Sequence, residues 1–319
     1  MPNRTAALLG ALVADAAALG THWIYSPQRI AELSSVDHFP FIEPDHRNYE
    51  GVEGYFAHAS KTAGEQSIYG EWLGLYVRLL AKKEVSVGVI QQEILDYFGP
   101  GGDFVGYVDT PTKALLLTLF SRTPDEWPED SGSDDDQNLA LCAVPPLVCV
   151  AADSQTLNDA LERYIGITHN NTLALASAKA FASALNEAIQ SQRIEPTLNV
   201  LQVKSPAPIQ DRIIELRALA DRDNHLDHVL SVVNQACHLV DSLPMSAWIL
   251  QNTENYREAI IQNIMASGDS CGRAMLVGAI AGACYGVGGE KGIPISWLTT
   301  LQYAESLSDD IERLLGAVT

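Results

Sequence analysis

SGDSCGRAMLVGAIAGACYG, residues 267 to 286, joins a polar turn to a helix built of small residues. Asp269 or Ser270 is placed to cap that helix, because a short polar side chain can accept hydrogen bonds from the free N–H groups of its first turn. Such a helix start also suits an anion or a carboxylate-bound cation, and Arg273 adds a positive charge one turn in. Near the other end of the chain, GALVADAAALG at 10 to 20 has the same character, and small residues there let neighbouring helices approach closely. One carboxylate, Asp15, sits in its apolar face and requires a partner. Two readings stand for Asp15: it caps or pairs within a packing face, or it lies beneath a polar cleft.

Outward from these segments, apolar residues recur at intervals of three and four, beginning with Leu8, Leu9, Leu12, Ala16 and Leu19. Further helices are expected at about 67–82, 87–98, 111–121, 135–151, 155–166, 171–191, 209–221, 225–241, 254–266, 270–284 and 295–316. Glycine, proline and acidic residues mark the loops between them, at 27–54, 99–106, 123–133 and 286–294. Strand-like alternation is scarce, and there is no fixed repeat or low-complexity tract. The pattern predicts an all-α protein, one compact domain over 1–319.

Of the 319 residues, 47% are hydrophobic, enough for a large core that needs neither disulfides nor metal. The five cysteines are scattered, mostly in apolar runs, and read as reduced core thiols of a cytoplasmic protein. A formal net charge of −20 with no basic stripe argues against nucleic acid as a partner. No signal peptide opens the chain, and no apolar run is read as reaching the roughly 18 residues of a membrane span, so no membrane partner is expected.

The two terminal segments together resemble the ADP-ribosylglycohydrolase family, whose members carry an N-terminal G-A-x-x-G-D-A-x-G-like helix and a C-terminal G-G-D-T-D-T followed by A-G-A-I-A-G-A-x-Y-G. VGAIAGACYG matches the latter, GEQSIYGEWLGL at 64–75 falls where the family has T-D-D-T, and ITHNNTLALASAKAFASAL at 167–185 is similar to its T-H helix. HWIY at 22–25, YGE at 69–71, SDDDQ at 133–137 and GDSCGRA at 268–274 are closer still to the J-type lens crystallins and their bacterial relatives. The resemblance implies an orthogonal helical bundle, two magnesium ions held by the T-D-D and D-x-D-T motifs, and cleavage of a glycosidic bond of ADP-ribose.

At the metal motifs this chain departs from the family. Ser67 stands for the threonine and Ile68 and Tyr69 for both aspartates; Asp269 remains, while Cys271 and Gly272 replace the second Asp and its Thr. Magnesium demands carboxylates and phosphates, so no cofactor is expected, with magnesium admissible only in a rewired site whose residual ligand positions are Ser67 and Asp269.

Other polar groups occupy the same neighbourhoods. Glu71, Asp135, Asp136 and Asp269 are the candidate catalytic acids: a carboxylate pair can cleave a glycosidic bond without metal, one stabilising an oxocarbenium-like state and one activating water. Ser133 to Asp136 also reads as a plain helix cap. Asp15, His22, Tyr69, Tyr107 and Arg273 are candidate substrate-binding residues. Arg273 either holds a phosphate or neutralises buried acids; His22, Trp23, Tyr25 and Tyr107 either stack on a ligand or seal a core edge. His169 is read as a structural histidine. No nucleophile elbow, P-loop, H-E-x-x-H or C-x-x-C is present. The expected function is hydrolysis of a ribosyl or ADP-ribosyl small molecule, or a catalytically inactive relative that binds a ligand or serves as a crystallin-like structural protein.

Overall fold

The computed structural model describes residues 2–82, 85–219 and 226–316. Sixteen α-helices and no sheet occur among them, and extended segments meet only in isolated bridges such as Ile24 with Gly54 and Ser133 with His169. The all-helical expectation holds.

At the centre lie two antiparallel helices, Pro2–Ala18 and Ser270–Tyr285. Ala6 faces Gly282, Gly10 faces Gly278, and Asp15 faces Cys271. A Cβ on Gly10 would stand 2.3 Å from the Gly278 carbonyl oxygen, and one on Gly282 would stand 2.2 Å from that of Ala6. Only hydrogen fits at these points, so the two backbones touch, and the polar start of the second helix is fixed against Asp15 on the first. Ile68–Ala81, Val144–Val150, Thr172–Ser191, Leu239–Gln251 and Tyr256–Met265 pack around the pair. A single cluster of buried apolar side chains runs through all of them.

The central position of the first helix corrects one expectation. Pro2–Thr21 is long and apolar enough, by length and composition, to cross a membrane, and 83% of its apolar window is buried inside the fold. Its apolarity follows from being covered on nearly every side.

Several boundaries also differ from the periodicity. The stretch 135–151 is not one helix: Asn138–Leu141 is a 3-10 turn, and Val144–Val150 follows with Pro145 and Pro146 in its first turn, where missing N–H groups cost nothing. The stretch 225–241 divides into Leu226–Val232 and Leu239–Gln251, and the latter continues through Pro244. The stretch 295–316 breaks between Leu298 and Ala304, where Tyr303 turns left-handed at φ 60°. Most of Leu239–Gln251, beyond residue 241, was not expected, and neither were two further helices. Pro27–Leu33 is capped by Ser26, and Ile194–Lys204 follows a left-handed Gln192 that ends the preceding helix.

Candidate functional site

The start of the Ser270–Tyr285 helix is the hub. Asp269 caps it, accepting from Gly272 N at 3.2 Å through Oδ1, which also meets His22 Nε2 at 2.7 Å. Its other oxygen accepts from Asn138 Nδ2 at 2.8 Å and the Tyr69 hydroxyl at 3.1 Å. Asp269, His22, Tyr69 and Asn138 are all buried. Burial pushes the Asp269 carboxyl up, but the hydrogen bonds from His22 and Asn138 and the nearby Arg273 charge outweigh it and hold the group below its ordinary value. His22 Nδ1 continues the chain to His58 Nε2 at 2.7 Å, and His58 is likewise buried.

Asp15 lies in the packing face of the first helix, as one of its two readings allows. It accepts from Ser67 Oγ at 2.5 Å and from Ser67 N at 2.7 Å, and burial pushes its carboxyl up to about 7. Arg273 donates to the Asn263 side chain, the Asn263 carbonyl and, at 2.5 Å, the Ser267 carbonyl, so its hydrogen bonds brace the 267–269 turn instead of reaching an open surface. Its Nη1 is buried without a partner.

The Trp23 ring stacks on His22, the Asp269 partner, at 4.2 Å. Trp23 and Tyr107 are half-buried and Tyr55 is exposed. The Trp23 and Tyr107 rings meet edge to face at 5.0 Å, and Tyr55 joins them at 5.8 Å from each. Trp23 holds a left-handed backbone at φ 64°, pinned by Trp23 N to Gly268 O at 2.8 Å and Gly268 N to Ile24 O at 2.7 Å. A bulky residue in that conformation costs about 1–3 kcal/mol and persists where surrounding contacts over-determine it, a frequent mark of functional sites.

On the same side stand two acids. Asp109 caps Thr110–Phe120 through Thr112 N at 3.1 Å; its second oxygen is buried with no partner. Burial, together with the charges of Asp135 and Asp269, pushes its carboxyl up to about 6. Asp135 is only partly buried and accepts from Gln137 N at 2.9 Å and Gln137 Nε2 at 3.1 Å; burial and neighbouring Asp136 raise it. His169 Nε2, buried and without a hydrogen-bond partner, lies 3.9 Å from Asp135 Oδ1.

The remaining candidates lie elsewhere. Asp136 turns outward to His238 Nδ1 at 2.6 Å. Glu71, two residues beyond Tyr69, faces away from Asp269: it accepts from Lys61 Nζ at 2.8 Å and the Tyr97 hydroxyl at 2.7 Å, in a separate cavity of about 340 Å³ lined also by Arg78 and Asp310. Glu71, Asp135 and Asp269 therefore do not gather around one opening. Sequence reasoning missed Asn138, His58 and the importance of Asp109. Only the last had a local signal, an Asp directly before the Thr-Pro-Thr helix start; the other two reach Asp269 and His22 across 131 and 36 residues.

A magnesium pair does not suit this donor set. The oxygens of Asp269 already accept from four donors, Ile68 and Gly272 offer no ligand, and Cys271 points its thiol at the Asp15 carbonyl oxygen, 3.6 Å away. Among the described residues no three His, Cys, Asp or Glu side chains are grouped to hold a metal.

An all-helical bundle with a capped, acid-centred helix start facing Asp15 defines the class, and comparison gives the family: the ADP-ribosylglycohydrolase model matches residues 3–319, and the chain belongs to that family. It is 26% identical to crystallin J1A of Tripedalia cystophora over 97% of both chains. It is also 26% identical to the ADP-ribosylarginine hydrolase Tri1 of Serratia proteamaculans (strain 568), over 46% of this chain and 37% of that one. A solved structure described as an ADP-ribosylglycohydrolase-related protein complex covers 100% of both chains with a TM-score of 0.67 at 18% identity, which shows the shared fold.

Proposed function

We propose that the chain binds an ADP-ribosyl or related ribosyl compound on the partly exposed surface at Trp23, Tyr55 and Tyr107 and hydrolyses its N- or O-glycosidic bond without a magnesium pair. Asp109 is the observation that carries this reading. A buried carboxylate with one oxygen unbonded is costly unless something positive arrives beside it, and the oxocarbenium-like centre of glycoside cleavage is such a charge. Asp135, partly exposed and oriented by Gln137, activates the attacking water. Trp23 and Tyr107 offer ring faces for the ligand. Asp269 and Tyr69 form the floor.

Release of ribose from a panel of N- and O-ribosyl compounds, measured in EDTA, tests this. Asp135→Asn and Asp109→Asn should each lower kcat by roughly 10²-fold or more, the range for a positioned acid–base group. Activity that appears only with magnesium, or that survives both substitutions, would sink the proposal. A second reading draws on the sealed Asp269 network and the full-length likeness to crystallin J1A: an inactive, structural relative. It predicts no turnover in any variant and effects on stability alone.

A further inference from the structure

Resting on the reading just given, we propose that the compound this surface takes is a cation without a diphosphate: an N-ribosyl pyridinium, with ribose C1′ joined to a positively charged aromatic ring nitrogen. Two helix starts at the site carry an acid as their cap: Asp269 accepts from Gly272 N and Asp109 from Thr112 N. A phosphate seeking free N–H groups at a helix start would meet two carboxylates there instead.

The cations Arg273 and His238 are turned away from this surface, and of Arg273 only the buried Nη1 has no partner. Arg273 is fully buried and directs its hydrogen bonds to Asn263 and Ser267, and His238 is paired with Asp136. Lys113 places its ammonium 4.9 Å from the centre of the Tyr107 ring, which shows that this aromatic face already attracts positive charge. Against these stand Asp109, Asp135 and Asp269, whose charges act on one another. A diphosphate would be repelled, and a planar cation would find these carboxylates and the Trp23, Tyr55 and Tyr107 rings.

One buried, unpartnered atom points to a missing ligand independently of the acid count: Asp109 Oδ2.

The chemistry fits the same ligand. The C1′–N bond breaks with its electron pair passing to the ring nitrogen, which leaves as a neutral base and requires no proton donor. Positive charge moves to C1′, toward the carboxylates. Water adds at C1′, Asp135 takes its proton, and free ribose results.

Calorimetric titration of the full-length protein with four probes tests the inference: N-ribosylnicotinamide, its neutral 1,4-dihydro form, ADP-ribose and N-methylnicotinamide. The charged riboside should bind about tenfold or more tighter than the dihydro form, the scale of one cation–π contact with a carboxylate. ADP-ribose should be weaker still. In Asp135→Asn the preference for the charged over the neutral riboside should shrink to about threefold or less. Tightest binding of ADP-ribose would overturn the charge inference while leaving the ribosyl reading in place. Equal binding of the two ribosides would also overturn it. N-methylnicotinamide binding as tightly as the riboside would remove the role of ribose and with it both proposals, and so would binding by none of the four.

Discussion

Asp269 and Asp109 are alike in their local setting, since each is a buried aspartate that caps a helix with one oxygen. They differ in the other oxygen. That of Asp269 accepts from Tyr69 and Asn138, and that of Asp109 accepts from nothing. Burial opposes ionisation at both, yet Asp269 is held below the usual carboxylate range, while Asp109 is pushed up to about 6. The number of donors supplied, not burial, sets the two apart. Asp269 is fully bonded within the frame, and Asp109 keeps one buried oxygen without a donor.

The contrast breaks most visibly at Asp269. Asp269→Ala would leave His22, Tyr69 and Asn138 buried without their acceptor, and the expected loss is about 3–5 kcal/mol of unfolding free energy in urea. A loss below about 1 kcal/mol would mean that the network is not structural. Gly272→Ala probes the same frame more gently. Its Cβ would stand 2.2 Å from Asp269 Oδ2, and overpacking there should cost about 1–3 kcal/mol.

Asp109 should behave in the opposite sense. Its folded value of about 6 lies above the ordinary 3.8, so the protonated form is the one favoured by folding. Stability present below about pH 4 is then lost as pH rises through about 6, on the order of 1–3 kcal/mol at about 1.4 kcal/mol per unit. Asp15, pushed up to about 7, adds a decline of the same sign that continues to neutral pH. Asp109→Asn should flatten the Tm profile between about pH 4 and 6 and leave the Asp15 decline in place. An unchanged profile would show that Asp109 is not the buried acid responsible. Asp135→Asn gives the smallest stability change, within about 1 kcal/mol, because the side chain is partly exposed and local to its loop. Its loss should appear in ligand binding.

How much of this was legible in the sequence follows from the range of each interaction. The small residues of the helix-packing faces, the cap at Asp269 and the all-helical class are local patterns, and the periodicity placed most helices within a few residues. The breaks at 142–143, 233–238 and 299–303 were missed because tertiary contacts impose them: Asn138 N bonds Cys237 O, Leu239 N bonds Asp136 O, and Gln302 N bonds Gly64 O. At the site, the substituted family positions Ile68, Tyr69, Cys271 and Gly272 were visible. What fills the space was not, since His22, His58 and Asn138 reach Asp269 directly or in sequence from distant parts of the chain. Glu71 illustrates the reverse error. Two residues from Tyr69 along a helix places a side chain on a different face, and it faces Lys61.

The central claim is that this member of the family engages a ribosyl ligand through its own side chains, with no magnesium pair. Calorimetric titration of the purified protein with N-ribosylnicotinamide and separately with ADP-ribose, each run once in excess magnesium and once in EDTA, tests it most directly. The account predicts the same dissociation constant for N-ribosylnicotinamide in both buffers. Binding of either ligand only when magnesium is present would contradict it.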